Sequence, residues 1–103
     1  MNIVCVESPY AGNVKKNRKY AQACMLDSLL RGEAPIASHL LYTQVLNDNF
    51  QRDRQLGIEA GLTLAEKADK TVVYTDHGIS KGMEYGIARA ITSNRPVEYR
   101  SIL

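Results

Sequence analysis

The stretch VYTDHGISKGMEYGIARA (Val73–Ala90) decides the fold. It opens on β-branched and aromatic residues, which suit a strand. A loop containing Gly78 follows, and from Ser80 onward Met83, Ile87, Ala90 and Ile91 recur at helical spacing. A strand that runs through a Gly-containing loop into a helix brings backbone N–H groups up to whatever sits at the helix start. Ser80 stands where an N-cap belongs.

Working outward, KTVVYTD (Lys70–Asp76) is the strand that feeds this loop. NIVCVES (Asn2–Ser8) is a second β-rich run, apolar on both faces, as a central parallel strand should be. APIAS (Ala34–Ser38) reads as a short strand, and VEYRSIL (Val97–Leu103) alternates apolar with polar as an edge strand does. A helix is predicted over Val14–Arg31, with Ala21, Cys24, Met25, Ser28 and Leu29 inward and Gly32 as its stop. A second spans Arg52–Ala68, with a small-residue stripe that includes Gly57, Gly61 and Ala65. The third runs Ser80–Ser93, while His39–Leu46 suits either a short helix or a turn. Strands alternating with helices give an α/β chain with a mostly parallel sheet of about four or five strands and helices on both faces. Residues 1–103 are expected to form one domain.

Composition narrows the function classes. The chain is 45% hydrophobic and 23% charged, with a net charge of +2, which suits a folded globule. No apolar run approaches the ~20 residues of a membrane span. MNIVCVESPY lacks the basic and long apolar regions of a secretory signal, so a cytoplasmic location is expected. Lys15, Lys16, Arg18 and Lys19 cluster without interleaved aromatics, which reads as a solvated helix face and not as a nucleic-acid surface. Cys5 and Cys24 sit in apolar settings with no His at ligand spacing, so they read as buried thiols. No metal or cofactor is expected.

In open α/β sheets ligands bind beyond the carboxyl ends of the strands. Those ends carry Glu7, Ser8, Tyr10 and Asn13, then Ser38 and His39, then Asp76, His77, Ser80, Gly82 and Met83. Each has a bland reading: Ser8-Pro9 can start a turn, Asp76 can make an Asx turn, His39 can be a satisfied half-buried ring. Convergence of three loops on one sheet edge favours a site.

VESPYAGN (Val6–Asn13), ASHLLYTQ (Ala37–Gln44), RQLGIEAG (Arg54–Gly61) and TDHGISKGMEYGIARA (Thr75–Ala90) occur in this order with suitable gaps. In these motifs the chain resembles the nucleoside 2-deoxyribosyltransferase-like superfamily, and within it small phage-encoded relatives. The resemblance covers nearly the whole chain. It implies a small, three-layer, Rossmann-like domain that binds nucleosides, nucleotides or nucleotide sugars. Enzymes of that group cleave N-glycosidic bonds with a glutamate four residues after the glycine of an S-x-G motif. Here that position is Gly86. Glu84 lies two residues earlier, a turn of roughly 200° on a helix, so it faces elsewhere and reads as a solvated carboxylate.

Gly86 in place of a glutamate favours a non-catalytic protein that binds and sequesters a nucleotide-derived ligand. The resemblance makes a cyclic ADP-ribose-type immune signal one such ligand, in a phage anti-defence role in the host cytoplasm. The expected ligand-binding set is Ser8, Pro9, Tyr10, Asn13, His39, Asp48, Arg54, Asp76, Ser80, Gly82 and Met83. The alternative is a nucleoside or nucleotide N-glycosidase or 2-deoxyribosyltransferase, with Glu7, Asp76 or Glu84 replacing the missing carboxylate. A mid-helix glycine costs roughly 1 kcal/mol against alanine, so close approach of a ligand or a helix is expected at Gly86, in a pocket widened by the lost side chain. The stripe of Gly57, Gly61 and Ala65 suggests packing against a second copy, in a dimer or higher even assembly.

Overall fold

The computed structural model describes residues Met1–Leu103. The elements are β1 (Ile3–Glu7), α1 (Val14–Leu30), β2 (Ala34–Ile36), α2 (Ser38–Leu41) continued by a 3-10 turn (Tyr42–Gln44), α3 (Gln51–Glu66), β3 (Lys70–Tyr74), α4 (Lys81–Thr92) and β4 (Val97–Arg100). One four-stranded sheet in the order β2-β1-β3-β4 carries them, and every pairing is parallel. This is the small Rossmann-like α/β arrangement expected, with β1 central. No helix is long and apolar enough to cross a membrane.

Side-chain alternation sorts the strands onto two faces. Val4, Val6, Val72 and Tyr74 join Tyr20 and Cys24 of α1 in one core. On the opposite face Cys5 packs against Ala65 and Ala68, and Val73 packs against Met83 and Ile87 of α4. Both cysteines are buried free thiols. The helices turn slightly from their expected faces: Leu29 is 53% exposed and Ile91 61% exposed, while Asn17 and Tyr20 are buried in α1. Sheet pairing also stops earlier than the sequence suggests. β2 ends at Ile36 because Ser38 already begins α2. β4 ends at Arg100 because Ser101, Ile102 and Leu103 turn to donate hydrogen bonds to the Asp76 carboxylate.

The small-residue stripe of α3 serves the chain's own packing. A Cβ on Gly61 would stand 2.7 Å from Ser38 Oγ, and one on Gly57 3.3 Å from the Leu46 side chain. The stripe therefore receives α2 and the turn after it.

A charged cluster lies on the α1 face. Arg100 donates to both Glu33 carboxylate oxygens, at 2.6 and 2.7 Å, and to Tyr74 Oη at 3.2 Å. Tyr74 Oη donates to Asp27 Oδ2 at 2.7 Å and Ser28 Oγ to Glu33 at 2.8 Å. Lys70 bridges Glu33 and Glu98, and Arg100 also pairs with Glu98. The guanidinium pulls Glu33 down to about 2. Removing one partner of a buried pair strands the other charge, which costs about 3–5 kcal/mol. Arg100→Ala is therefore expected to lose that much stability in urea unfolding, with the slope of the transition unchanged. A loss under about 1 kcal/mol would mean that Glu33 finds water or Lys70 instead.

Candidate functional site

Both sheet faces are covered, so the strand ends are where backbone and side chains meet open space. Beyond the ends of β1 and β3 lies a cleft of about 370 Å³, roofed by α2 and α3 on one side and by the start of α4 on the other. Of the residues expected from sequence, Ser8, Tyr10, His39, Asp48, Arg54, Ser80, Gly82 and Met83 line it, and so does Glu7.

Several local devices build the cleft. Asn13 caps α1 by accepting from Lys16 N at 3.2 Å, and Asn17 donates to the carbonyls of Tyr10 and Ala11 at 3.0 Å. Together they fix the loop after β1. Asp53, buried at the start of α3, accepts from Asn47 N at 2.7 Å and from Arg52, which anchors the loop carrying Asp48. Gly78, at φ 80°, turns the chain from β3 towards α4. Ser80 Oγ then accepts from Met83 N at 3.3 Å as the N-cap. That leaves the N–H groups of Lys81 and Gly82, which no helical carbonyl can reach, facing the cleft end of the helix.

Three expected residues do not contribute as foreseen. The Asn13 side chain is spent on its cap. Pro9 is buried beneath the loop and does not line the cleft. Asp76 follows Tyr74 in the strand alternation, so its carboxylate turns to the α1 side. There it accepts from Tyr20 Oη at 2.6 Å as well as from the tail residues, and these donors hold it well below the ordinary carboxylate range. It is a clamp for the C-terminal tail. Met83 lines the cleft but is 1% exposed, so its main work is in the core beside Val73 and Ile87. Glu84 is exposed on the outer side of α4.

Glu7 is the unusual member. It ends β1 on the α4 side, half-buried, and its single hydrogen-bond contact is the Cys5 thiol at 4.0 Å. Burial without a cation raises its carboxyl to about 7. Its carboxylate lies over Gly86. A Cβ added there would stand 2.7 Å from the Glu7 carboxyl carbon and closer still to one oxygen, and the three nearest atoms all belong to Glu7. The gap expected at Gly86 is thus filled from inside the chain. Beside Glu7, Ser8 Oγ and His39 Nε2 share a hydrogen bond of 2.7 Å, and Tyr10 meets the His39 ring edge-on at 6.4 Å. Burial lowers His39 to about 4, so the ring is neutral at physiological pH. Arg54 and Lys81 stand exposed at the rim without an ion-pair partner.

Residues 2–100 match the profile of a family described as a domain of unknown function (DUF7768), and the chain belongs to that family. No curated protein matches the sequence. Among solved structures, the chain is similar to a 2-deoxyribosyltransferase from the psychrotolerant bacterium Bacillus psychrosaccharolyticus. The superposition has a TM-score of 0.71 at 16% identity and covers 96% of this chain and 72% of that one. At this identity the likeness is one of fold, and it bears out the deoxyribosyltransferase-like architecture.

Glu7 and His39 give opposite pH signatures. Glu7 moves from 4.5 unfolded to about 7 folded, so its contribution to stability falls as pH rises across that window. His39 moves from 6.5 unfolded to about 4 folded, so its contribution rises across nearly the same window. The two should largely cancel in the native protein. Relative to it, Glu7→Gln is expected to gain stability between pH 4.5 and 7, and His39→Gln to lose it between pH 4 and 6.5. Each change should reach at most about 3 kcal/mol. Urea unfolding at several pH values reads both, and parallel curves for all three proteins would refute the two burials.

Proposed function

We propose that this member of the DUF7768 family binds a nucleoside- or nucleotide-derived ligand in the cleft beyond β1 and β3. The observation that carries the reading is the division of the cleft wall into three chemical zones. A cationic rim of Arg54 and Lys81 adjoins the free N–H groups of α4, which suits phosphate. Tyr10, Tyr42 and Tyr85 offer aromatic surface to a base. Ser8, Ser38 and Glu7 supply short polar groups for a sugar. The fold likeness to a deoxyribosyltransferase supports the same ligand class. The cleft volume of about 370 Å³ also fits a single nucleotide better than a polymer.

Calorimetry against adenosine, AMP, NAD, ADP-ribose and cyclic ADP-ribose isomers tests the reading. Phosphorylated ligands are expected to bind more tightly than adenosine. Arg54→Ala and Lys81→Ala should each weaken the phosphorylated ligands about tenfold, or about 1.4 kcal/mol, and leave adenosine nearly unchanged. Failure of the whole panel to bind below about 1 mM would remove the proposal.

A further inference from the structure

We infer that Glu7 is a catalytic carboxylate, delivered from the end of β1 over Gly86 to act on the glycosidic carbon of the bound ligand. The inference rests on the ligand class proposed above.

Glu7 differs from the chain's other buried acids. Glu33 and Asp53, the two fully buried carboxylates, are each held by a cation and a further donor. Glu7 has no cation, and its one donor is the Cys5 thiol at 4.0 Å, although it lines the cleft. A carboxylate that served the fold alone would be stabilised by a partner or replaced by an apolar side chain. The helix opposite concedes space as well. With alanine at 86, the Glu7 carboxylate could not lie where it does. Mid-helix glycine and an unpaired carboxylate are two separate costs to stability, spent on placing one group in the cleft.

Of the two nucleophilic side chains that β1 sends to this face, Glu7 is the available one. Cys5, buried behind it, is pushed up to about 12 and stays a thiol. Glu7 fits a two-step displacement. In the first step one carboxylate oxygen bonds to C1′ while the C1′–N bond breaks. The bonding pair leaves on the base nitrogen, which takes a proton from water. In the second step a water oxygen bonds to C1′, the ester C1′–O bond breaks with its pair returning to Glu7, and the excess proton passes to solvent. A second base in place of water would complete a transfer.

The test combines binding, turnover and trapping on the same ligands. A 2′-fluoroarabinosyl adenine probe slows both steps, because fluorine disfavours positive charge at C1′, and lets the ester accumulate. After digestion with trypsin, the fluorosugar mass is expected on the peptide Met1–Lys15, at Glu7. Chromatography of native ligands should show free base. Glu7→Gln should keep binding within a few-fold, lose the ester and lower turnover at least about 1,000-fold. The three atoms nearest a Cβ at 86 all belong to Glu7. The double variant Glu7→Ala, Gly86→Glu therefore has room for a carboxylate presented from α4, and it should recover part of the lost turnover. An ester that survives Glu7→Gln, or turnover unchanged by it, overturns the inference. Tight binding with the ligand recovered intact and no ester also overturns it, and leaves the cleft as a holding site. No binding at all overturns the ligand class and this inference together.

Discussion

The alternation of side chains along β1 is the constraint on which the rest depends. As the central strand of an all-parallel sheet, β1 is covered on both faces, and each residue must belong to one core or the other. Val4 and Val6 go to α1, and Cys5 goes to α3. Glu7 is the next residue in the Cys5 row. It is thereby sent to the side of α3 and α4, at the level where the strand stops and the cleft begins. A one-residue slip would exchange Glu7 for Ser8 and reverse every contact in both cores.

The two faces then handle charge in different ways. On the α1 face, Arg100, Glu33, Lys70 and Glu98 satisfy one another in a network closed by Tyr74 and Asp27. Its members come from β4, β3 and the α1–β2 connection, so it ties the edge strand to the helix layer. Asp76 performs a similar task at the other end of β3, holding the tail to Tyr20. On the α4 face the ion pairs are Arg89 with Glu66 and Arg52 with Asp53, and Glu7 belongs to neither. The network that holds the edge strand and the cleft are thus on opposite sides of the same sheet. That separation lets the cleft hold an unsatisfied carboxylate without loosening the edge strand.

Much of this was legible in the sequence, for physical reasons that differ between elements. The strand–loop–helix run of Val73–Ala90 and the two-faced apolar pattern of β1 are local signals, and they pointed to an α/β parallel sheet with a cleft at its carboxyl edge. β4 is the edge strand that its alternation suggests, but which of its faces turns inward was not legible. The structure buries Arg100 at 7% and leaves Tyr99 55% exposed. The partner that holds Arg100 inward, Glu33, lies 67 residues away, and no window of sequence contains both. Asp76 was assigned by its place at a strand end alone. Counting its parity from Tyr74 would have sent it to the α1 side. Asn17 was missed although an amide early in a helix is a candidate to bind the preceding loop, as it does here.

Gly86 shows why a motif and a site must be kept apart. A motif fixes a residue type at a position in the chain, whereas chemistry needs a functional group at a position in space. Two elements border this part of the cleft, and either can supply a carboxylate to it. The Glu7 carboxylate reaches so close to α4 that, with it in this position, nothing larger than hydrogen fits at 86. The glycine and the glutamate, 79 positions apart by subtracting 7 from 86, are therefore one structural decision. Read along the helix alone, Gly86 signifies a lost group. Read across the cleft, it is the space into which the same kind of group enters from the neighbouring strand.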